Sequence, residues 1–271
     1  MANSANSKGA GSASAQKARK MREQAQARER RTRNVIITVV VLLVLAVVAA
    51  VGLVVYKSRS ADSAGKGAAA ASADGSFIIS ADGPGKPKSG VPTLEEYMDY
   101  SCHACADTTA ILGDTLTKAA KNGEFNLKIT PVNTVDMVYH QKAADAAYVV
   151  WQQQPDKYMD FHAAVMAYFK SQFDAKDGSV IQESAQKSAD KIAQIAKSVG
   201  ISETTISKFK TSDMKAQLKA NTDKWISRKV DGSTEKYTPQ FISNNKLIEL
   251  KGESAQEVTK NLLEGIKAAQ K

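Results

Sequence analysis

Hydrophobic and polar positions divide the chain into four stretches of different character. Residues 1–34 open on an Ala/Ser/Gly-rich run and carry almost no large apolar side chain, so they cannot bury a core and are expected to form a disordered arm. From Val35 to Val55 the pattern inverts to VIITVVVLLVLAVVAAVGLVV, 21 residues without a charge. As a helix this length crosses a hydrocarbon core of about 30 Å, whereas the apolar part of a cleaved signal peptide is usually about 7–15 residues. A retained transmembrane helix over 35–56 is therefore expected. Residues 57–75 return to Ser, Ala, Gly and Lys, the composition of a flexible linker. A folded domain is expected over 76–271, long enough for one hydrophobic core without covalent stapling.

Within that domain the periodicity changes more than once. Leu94 to Tyr100 (LEEYMDY) is a short apolar and aromatic run entered from Gly and Pro, followed at once by Ser101-Cys102-His103-Ala104-Cys105 and a helix-compatible stretch that stops at Asn122-Gly123. Phe125 to Val132 reads as a second strand, which makes a strand-helix-strand unit with parallel pairing. From Gln141 to Arg228, Ala, Tyr, Val and Trp recur three and four residues apart, so several helices in a row are predicted, a helical insertion at about 138–228. Thr238 to Ser243 and Lys246 to Leu250 form a predicted hairpin, because Asn244 and Asn245 tolerate the positive φ that tight hairpin turns require. A last helix is placed from Ser254, with Val258, Leu262 and Ile266 four residues apart. The fold class that results is α/β.

Charge adds topology. The net charge of +9 is concentrated in residues 1–34, where nine Lys or Arg stand against two Glu, so the rest of the chain is close to neutral and no nucleic-acid partner is expected. Arg28, Arg30, Arg31 and Arg33 crowd the N-terminal side of the apolar run, while Lys57, Arg59 and Lys66 are sparser beyond it. The positive-inside bias then puts the N-terminus in the cytoplasm and the C-terminal domain outside, a single-pass protein of the cell membrane held there by residues 35–56.

The chain has two cysteines, and they stand three residues apart at the predicted strand-to-helix turn. This spacing puts Cys102 at the start of the helix, where unpaired N–H groups and the positive end of the macrodipole stabilise a thiolate. Such placement lowers a thiol pKa from about 8.5 into the range of about 3.5–7.5 and makes the sulfur both a nucleophile and a good leaving group. Cys105 can reach the same sulfur, and His103 between them can add positive charge or a hydrogen bond to it. Two other readings are weaker. A structural bridge closing so small a ring adds little chain-entropy stabilisation. A zinc site needs about four ligands, and His103, His140 and His162 stand at no paired metal spacing, so neither metal nor other cofactor is expected. His140 and His162 are read as ordinary helix histidines.

On these residues the domain resembles the DsbA-like thioredoxin-fold thiol–disulfide oxidoreductases, in particular their membrane-anchored bacterial branch. The resemblance covers about 77–271 and rests on Glu96-Tyr97-Met98-Asp99-Tyr100-Ser101-Cys102-His103-Ala104-Cys105, on the helical insertion, and on Thr238-Pro239-Gln240-Phe241-Ile242 with the following hairpin. It implies a thioredoxin-like fold with a helical insertion domain. It also implies that Cys102 is the nucleophile and Cys105 the buried resolving thiol, and that Glu96 is a buried acid that helps move the resolving thiol's proton. Pro239 would be the family's cis-proline facing the cysteines, and Thr238 would offer backbone hydrogen bonds to an extended substrate. The implied partners are thiols of exported proteins and a membrane or envelope redox partner. The motif departs from the common pattern in having His103-Ala104 where many relatives have a proline, and Tyr237 where Gly often precedes Thr-Pro. The direction of reaction, oxidation against reduction or isomerisation, therefore stays open, as does a non-catalytic envelope chaperone with a passive Cys bridge.

Overall fold

A computed structural model of the protein describes residues 74–271. The arm and membrane span expected over 1–56, and nearly all of the linker, lie outside the described residues. Among those that are described, no helix is long and apolar enough to cross a membrane.

Five strands form one sheet in the order β1-β3-β2-β4-β5, with β1 at Phe77–Ile79, β2 at Thr93–Met98, β3 at Asn126–Pro131, β4 at Gln240–Ser243 and β5 at Lys246–Ile248. The central pair β2 and β3 is parallel, with Leu94 opposite Leu127 and Glu96 opposite Ile129. The other neighbours are antiparallel. The crossover between β2 and β3 is α1, His103–Lys121, and Gly123 ends it at φ 81°, a left-handed conformation that favours glycine. Between β3 and β4 the chain inserts α2 (Val138–Gln153), α3 (Tyr158–Asp174), α4 (Gly178–Ile181), α5 (Ala185–Ser198), α6 (Glu203–Ser207) and α7 (Lys215–Ser227). The C-terminal α8, Ala255–Ala268, is capped by Ser254, whose hydroxyl accepts from Glu257 N–H. This is the thioredoxin-like α/β architecture with a helical insertion.

Strand alternation assigns each side of β2 to a different core. Leu94 and Met98 belong to the main core with Leu112 and Leu116 of α1 and Leu262 and Ile266 of α8. Tyr97 points the other way, onto Trp225 of α7, in a smaller core with Val132, Val230 and Ile242. Aromatic packing joins the insertion to the sheet: Phe77 of β1 meets Trp151 of α2 and Tyr158 of α3 at centroid separations of 5.5 and 4.4 Å. The β4–β5 turn is made by Asn244 and Asn245 at φ 47° and 62°, as the paired asparagines required. Three strand boundaries differ from the sequence expectation by two residues. β2 stops at Met98 rather than Tyr100, because the Asp99 carboxylate takes the Ser101 N–H and turns the chain. β4 begins at Gln240 rather than Thr238, as Pro239 has no N–H to give a ladder. β5 closes at Ile248, short of Leu250.

Candidate active site

The two cysteines sit where β2 hands over to α1, and the handover is built by the motif itself. Cys102 is the N-cap of α1 with extended backbone (φ −93°, ψ 119°), and its sulfur accepts the Cys105 N–H at 3.3 Å, filling one of the donor positions that a helix leaves empty at its start. Both cysteines are free thiols. They are unequal in exposure: Cys102 keeps 8% of its surface and Cys105 none. Across from them the Thr238–Pro239 peptide bond is cis, and the Cys102 thiol donates to the Thr238 carbonyl at 3.2 Å.

The environment separates the two thiols chemically. A hydrogen bond from Cys105 lowers the Cys102 pKa to about 6, with further hydrogen bonding from Thr238 and the Cys105 amide, against burial and the nearby Asp99 charge, which act upward. For Cys105 burial is the largest influence and pushes its pKa well above the ordinary thiol value, and the interactions with Cys102 act in the same direction. At neutral pH the dithiol is thus one thiolate at the mouth and one protonated thiol behind it.

Asp99, Thr134 and His140 belong to the same site and were not picked out by the sequence reading. Asp99 is fully buried. Its carboxylate accepts from Ser101 N–H at 2.7 Å, Thr134 N–H at 2.7 Å, the Thr134 hydroxyl at 3.0 Å and Val135 N–H at 3.1 Å, and lies 2.9 Å from His140 Nδ1. Burial alone would raise its pKa, but the pairing with His140 and the backbone donors outweigh it and hold the carboxyl below its ordinary value. One anion therefore ties the cysteine turn to the loop after β3 and to the first turn of α2. An acid three residues before a cysteine was the available signal, but nothing in the pattern says that the loop after β3 folds back onto it.

Glu96 lies on the core face of β2 between Leu94 and Met98, 5% exposed. It lines a small cavity of about 10 Å³ with Leu116, Leu127, Met159 and His162, at the lower limit of what holds one water. Burial raises its pKa from 4.5 to about 7, and in the same region burial drops that of His162 to about 4. Because the folded-state pKa of Glu96 is the higher one, the folded protein holds this proton longer than the unfolded chain, and stability falls as pH rises from about 4.5 to 7. We expect Glu96→Gln to remove that slope, worth roughly 3 kcal/mol across the interval. Chemical denaturation at pH 5 and pH 8 measures it; parallel pH profiles for both proteins would refute it.

His103 is placed differently from the expectation. Its imidazole does not turn to the Cys102 sulfur: Nε2 lies 2.9 Å from Asp174 Oδ1 and Nδ1 lies 3.3 Å from Asp107 Oδ2, and the ring stacks on Phe173 at 4.4 Å. Lys170 bridges the same two aspartates at 2.6 and 2.9 Å. Two carboxylates and an aromatic face outcompete one sulfur for the ring, and they come from α1 and α3, whose packing the sequence could not foretell. His162, a helix histidine as expected, is buried on α3 with its Nδ1 3.4 Å from the Tyr100 hydroxyl.

A thioredoxin fold with a dithiol capping the first helix after the central strand, and a cis-proline loop facing it, defines the class of this protein. The profile of a thioredoxin family matches residues 84–263, and the chain belongs to that family. No curated protein is similar enough in sequence to register as a match. Among solved structures the chain is similar to the MdbA protein of Actinomyces oris, described as a thiol-disulfide oxidoreductase, at 18% identity and a TM-score of 0.59, covering 71% of this chain and 88% of that one. It is also similar to the MdbA protein of Corynebacterium diphtheriae, at 21% identity and a TM-score of 0.55 over 74% and 96% of the two chains. BdbD of Bacillus subtilis follows at 19% identity and 0.51, over 74% and 98%. At these identities the likeness establishes the DsbA-like thioredoxin fold.

Proposed function

We propose that the protein is a thiol–disulfide oxidoreductase that donates a Cys102–Cys105 disulfide to thiols of exported proteins. It works outside the cytoplasm from a membrane anchor at residues 35–56 and is re-oxidised by a membrane redox partner. The observation that carries this reading is the unequal pair of thiols facing a cis-proline loop: Cys102 at the mouth with a pKa of about 6, Cys105 buried with a raised one. The description of the MdbA proteins as thiol-disulfide oxidoreductases supports it.

The chemistry follows from the sulfurs. A substrate thiolate attacks Cys102 of the disulfide, the S–S bond breaks, and Cys105 leaves and takes a proton, for which the buried carboxyl of Glu96, neutral below about pH 7, is a source. A second substrate thiolate then attacks the substrate sulfur of the mixed disulfide and Cys102 leaves as a thiolate. Two electrons have passed from substrate to enzyme, and the substrate keeps the new disulfide. The Thr238 carbonyl and the backbone around Pro239 face the attacked sulfur and are positioned to align an extended peptide.

A stabilised leaving thiolate favours the reduced enzyme and makes its disulfide a strong oxidant. Equilibration with glutathione redox buffers is expected to give a potential nearer to about −120 mV than to the about −270 mV of a cytosolic reductase. A value at the reducing end would transfer the assignment to a reductase or isomerase.

A further inference from the structure

The Glu96 carboxyl is buried and takes no hydrogen bond from the described residues. Nor does a cation stand beside it among them. The titratable groups packed around it are Cys105 of α1, Tyr100 at the end of β2, and Tyr158 and His162 of α3, and burial keeps each of them neutral at neutral pH. A carboxylate formed here would be an unpaired buried charge unless water reaches it. The small cavity that Glu96 lines has room for about one water, and it has two ends. Glu96 and His162 are buried at the inner end, while Thr108, Thr109 and Gly113 of α1 and Met159 of α3 are half-buried at the outer one. None of His103, Thr134 and Thr238, which surround the Cys102 mouth, lines it. The helix starts at His103, so at 1.5 Å per residue Gly113 is about 15 Å along the axis from the cysteine turn.

Gly113 is unexpected where it stands. Glycine inside a helix is less favourable than alanine, and close packing does not demand one: a Cβ here would meet no neighbouring element, only Thr109 Cγ2 of the same helix at 3.4 Å, an ordinary contact. The missing side chain leaves a gap between α1 and α3 at the outer end of the cavity. Cys105, Thr109 and Gly113, four residues apart, form one row along α1. The Thr109 hydroxyl donates to the Cys105 carbonyl at 2.9 Å, so the row leads from the gap to the resolving cysteine.

We propose that this cavity is a rear proton port, which seats a water between Glu96 and His162 and exchanges the Glu96 proton with solvent through the gap at Gly113 while a substrate peptide covers Cys102. The inference rests on Glu96 as the source of the Cys105 proton. When Cys105 leaves the disulfide it takes that proton, the Glu96 carboxylate takes one from the seated water, and the water recovers one from solvent through the gap. One solvent proton has then been taken up and rests on Cys105, and re-oxidation runs the same path outward. His162 is a positioning residue: its neutral ring adds no competing charge, and with Nδ1 directed at the Tyr100 hydroxyl it holds the water by hydrogen bonding alone.

The test uses the full chain carrying Gly113→Leu, Gly113→Ala, Glu96→Gln, and Gly113→Leu together with Glu96→Gln. Two rates are compared in each: oxidation of a dithiol peptide, which covers the mouth, and of dithiothreitol, which leaves it open to water. Gly113→Leu is expected to slow peptide oxidation by about tenfold, part of the roughly 100-fold or more that a general acid contributes, and to leave the dithiothreitol rate unchanged. Gly113→Ala is expected to do the same to a smaller extent. In the Glu96→Gln background the Gly113 substitution is expected to add nothing. NMR of isotope-labelled glutamate follows Glu96 directly, its resonance being the one lost in Glu96→Gln. Expelling the water is expected to raise its pKa further above about 7 in Gly113→Leu. Alanine and leucine are better helix formers than glycine, so a fall in Tm would mark a packing defect and leave Gly113→Ala as the deciding variant. Equal slowing of both substrates, the same slowing in the Glu96→Gln background, or an unmoved Glu96 pKa would overturn the proposal. Should the parent oxidise neither substrate while the Glu96 pKa responds to Gly113→Leu, the proposed function falls and solvent access to Glu96 stands. If every Gly113 variant oxidises both at the parent rate, the port falls and the function stands.

Discussion

Cys102→Ser is expected to abolish catalysed disulfide transfer, bringing substrate oxidation down to the uncatalysed rate, while Cys105→Ser is expected to keep the first attack and stall after it. The difference follows from burial. Cys102 is the sulfur with surface to be attacked, and Cys105, with none, acts on the mixed disulfide from behind. Without the resolving thiol, the Cys102–substrate bond can be broken only by another external thiol, so mixed disulfides accumulate. Oxidation of a dithiol peptide followed by fluorescence, together with mass spectrometry of the trapped species, measures both. Transfer at the parent rate in Cys102→Ser would leave the cysteines as a passive bridge and remove the basis of the proposed function.

Asp99→Ala is expected to destabilise the domain by about 3–5 kcal/mol, because one buried side chain satisfies three backbone amides and a hydroxyl. For a domain of this size that corresponds to a fall in Tm of about 10 °C. The effect should depend on pH. The Asp99 carboxyl is held below its ordinary 3.8 in the folded protein, so its contribution is fully present above that value and is lost as pH falls through the lowered one. Parent and variant unfolding curves should accordingly converge in acid. Equilibrium denaturation at pH 7 and pH 3 measures this, and a loss under about 1 kcal/mol at neutral pH would mean that other groups can satisfy the donors that Asp99 now serves.

Most of the frame that holds the cysteines was legible in the sequence, because the features that write it are local. An apolar run, a CxxC spacing and a helical stretch ending in Asn-Gly are enough to place Cys102 at the start of α1, and paired asparagines are enough for the β4–β5 turn. β1 was not legible as a strand: Phe77–Ile79 is three residues long, shows no alternation to read, and is held by its antiparallel register on β3, with Phe77 opposite Ile129. Within the site the same division applies. Glu96 could be singled out only through the family resemblance, which implies a buried acid at that position. Asp174 reaches His103 only once α3 of the helical insertion has packed on α1, and the link from Asp99 through Thr134 to Thr238 joins segments 35 and 104 residues apart in the chain. A buried histidine such as His140 leaves no mark in the sequence that separates it from a surface one.

The capping role of Cys102 has a consequence for the energetics of the whole domain. A structural disulfide adds rigidity to a folded chain, whereas here forming the bond spends the sulfur that caps α1 and discharges the thiolate held by the helix end and the Cys105 thiol. By closure of the thermodynamic cycle, whatever the fold gains from the reduced pair is a force pushing the bond out of the protein. The bridge behaves as a loaded spring, and the folded domain relaxes when it hands the bond on.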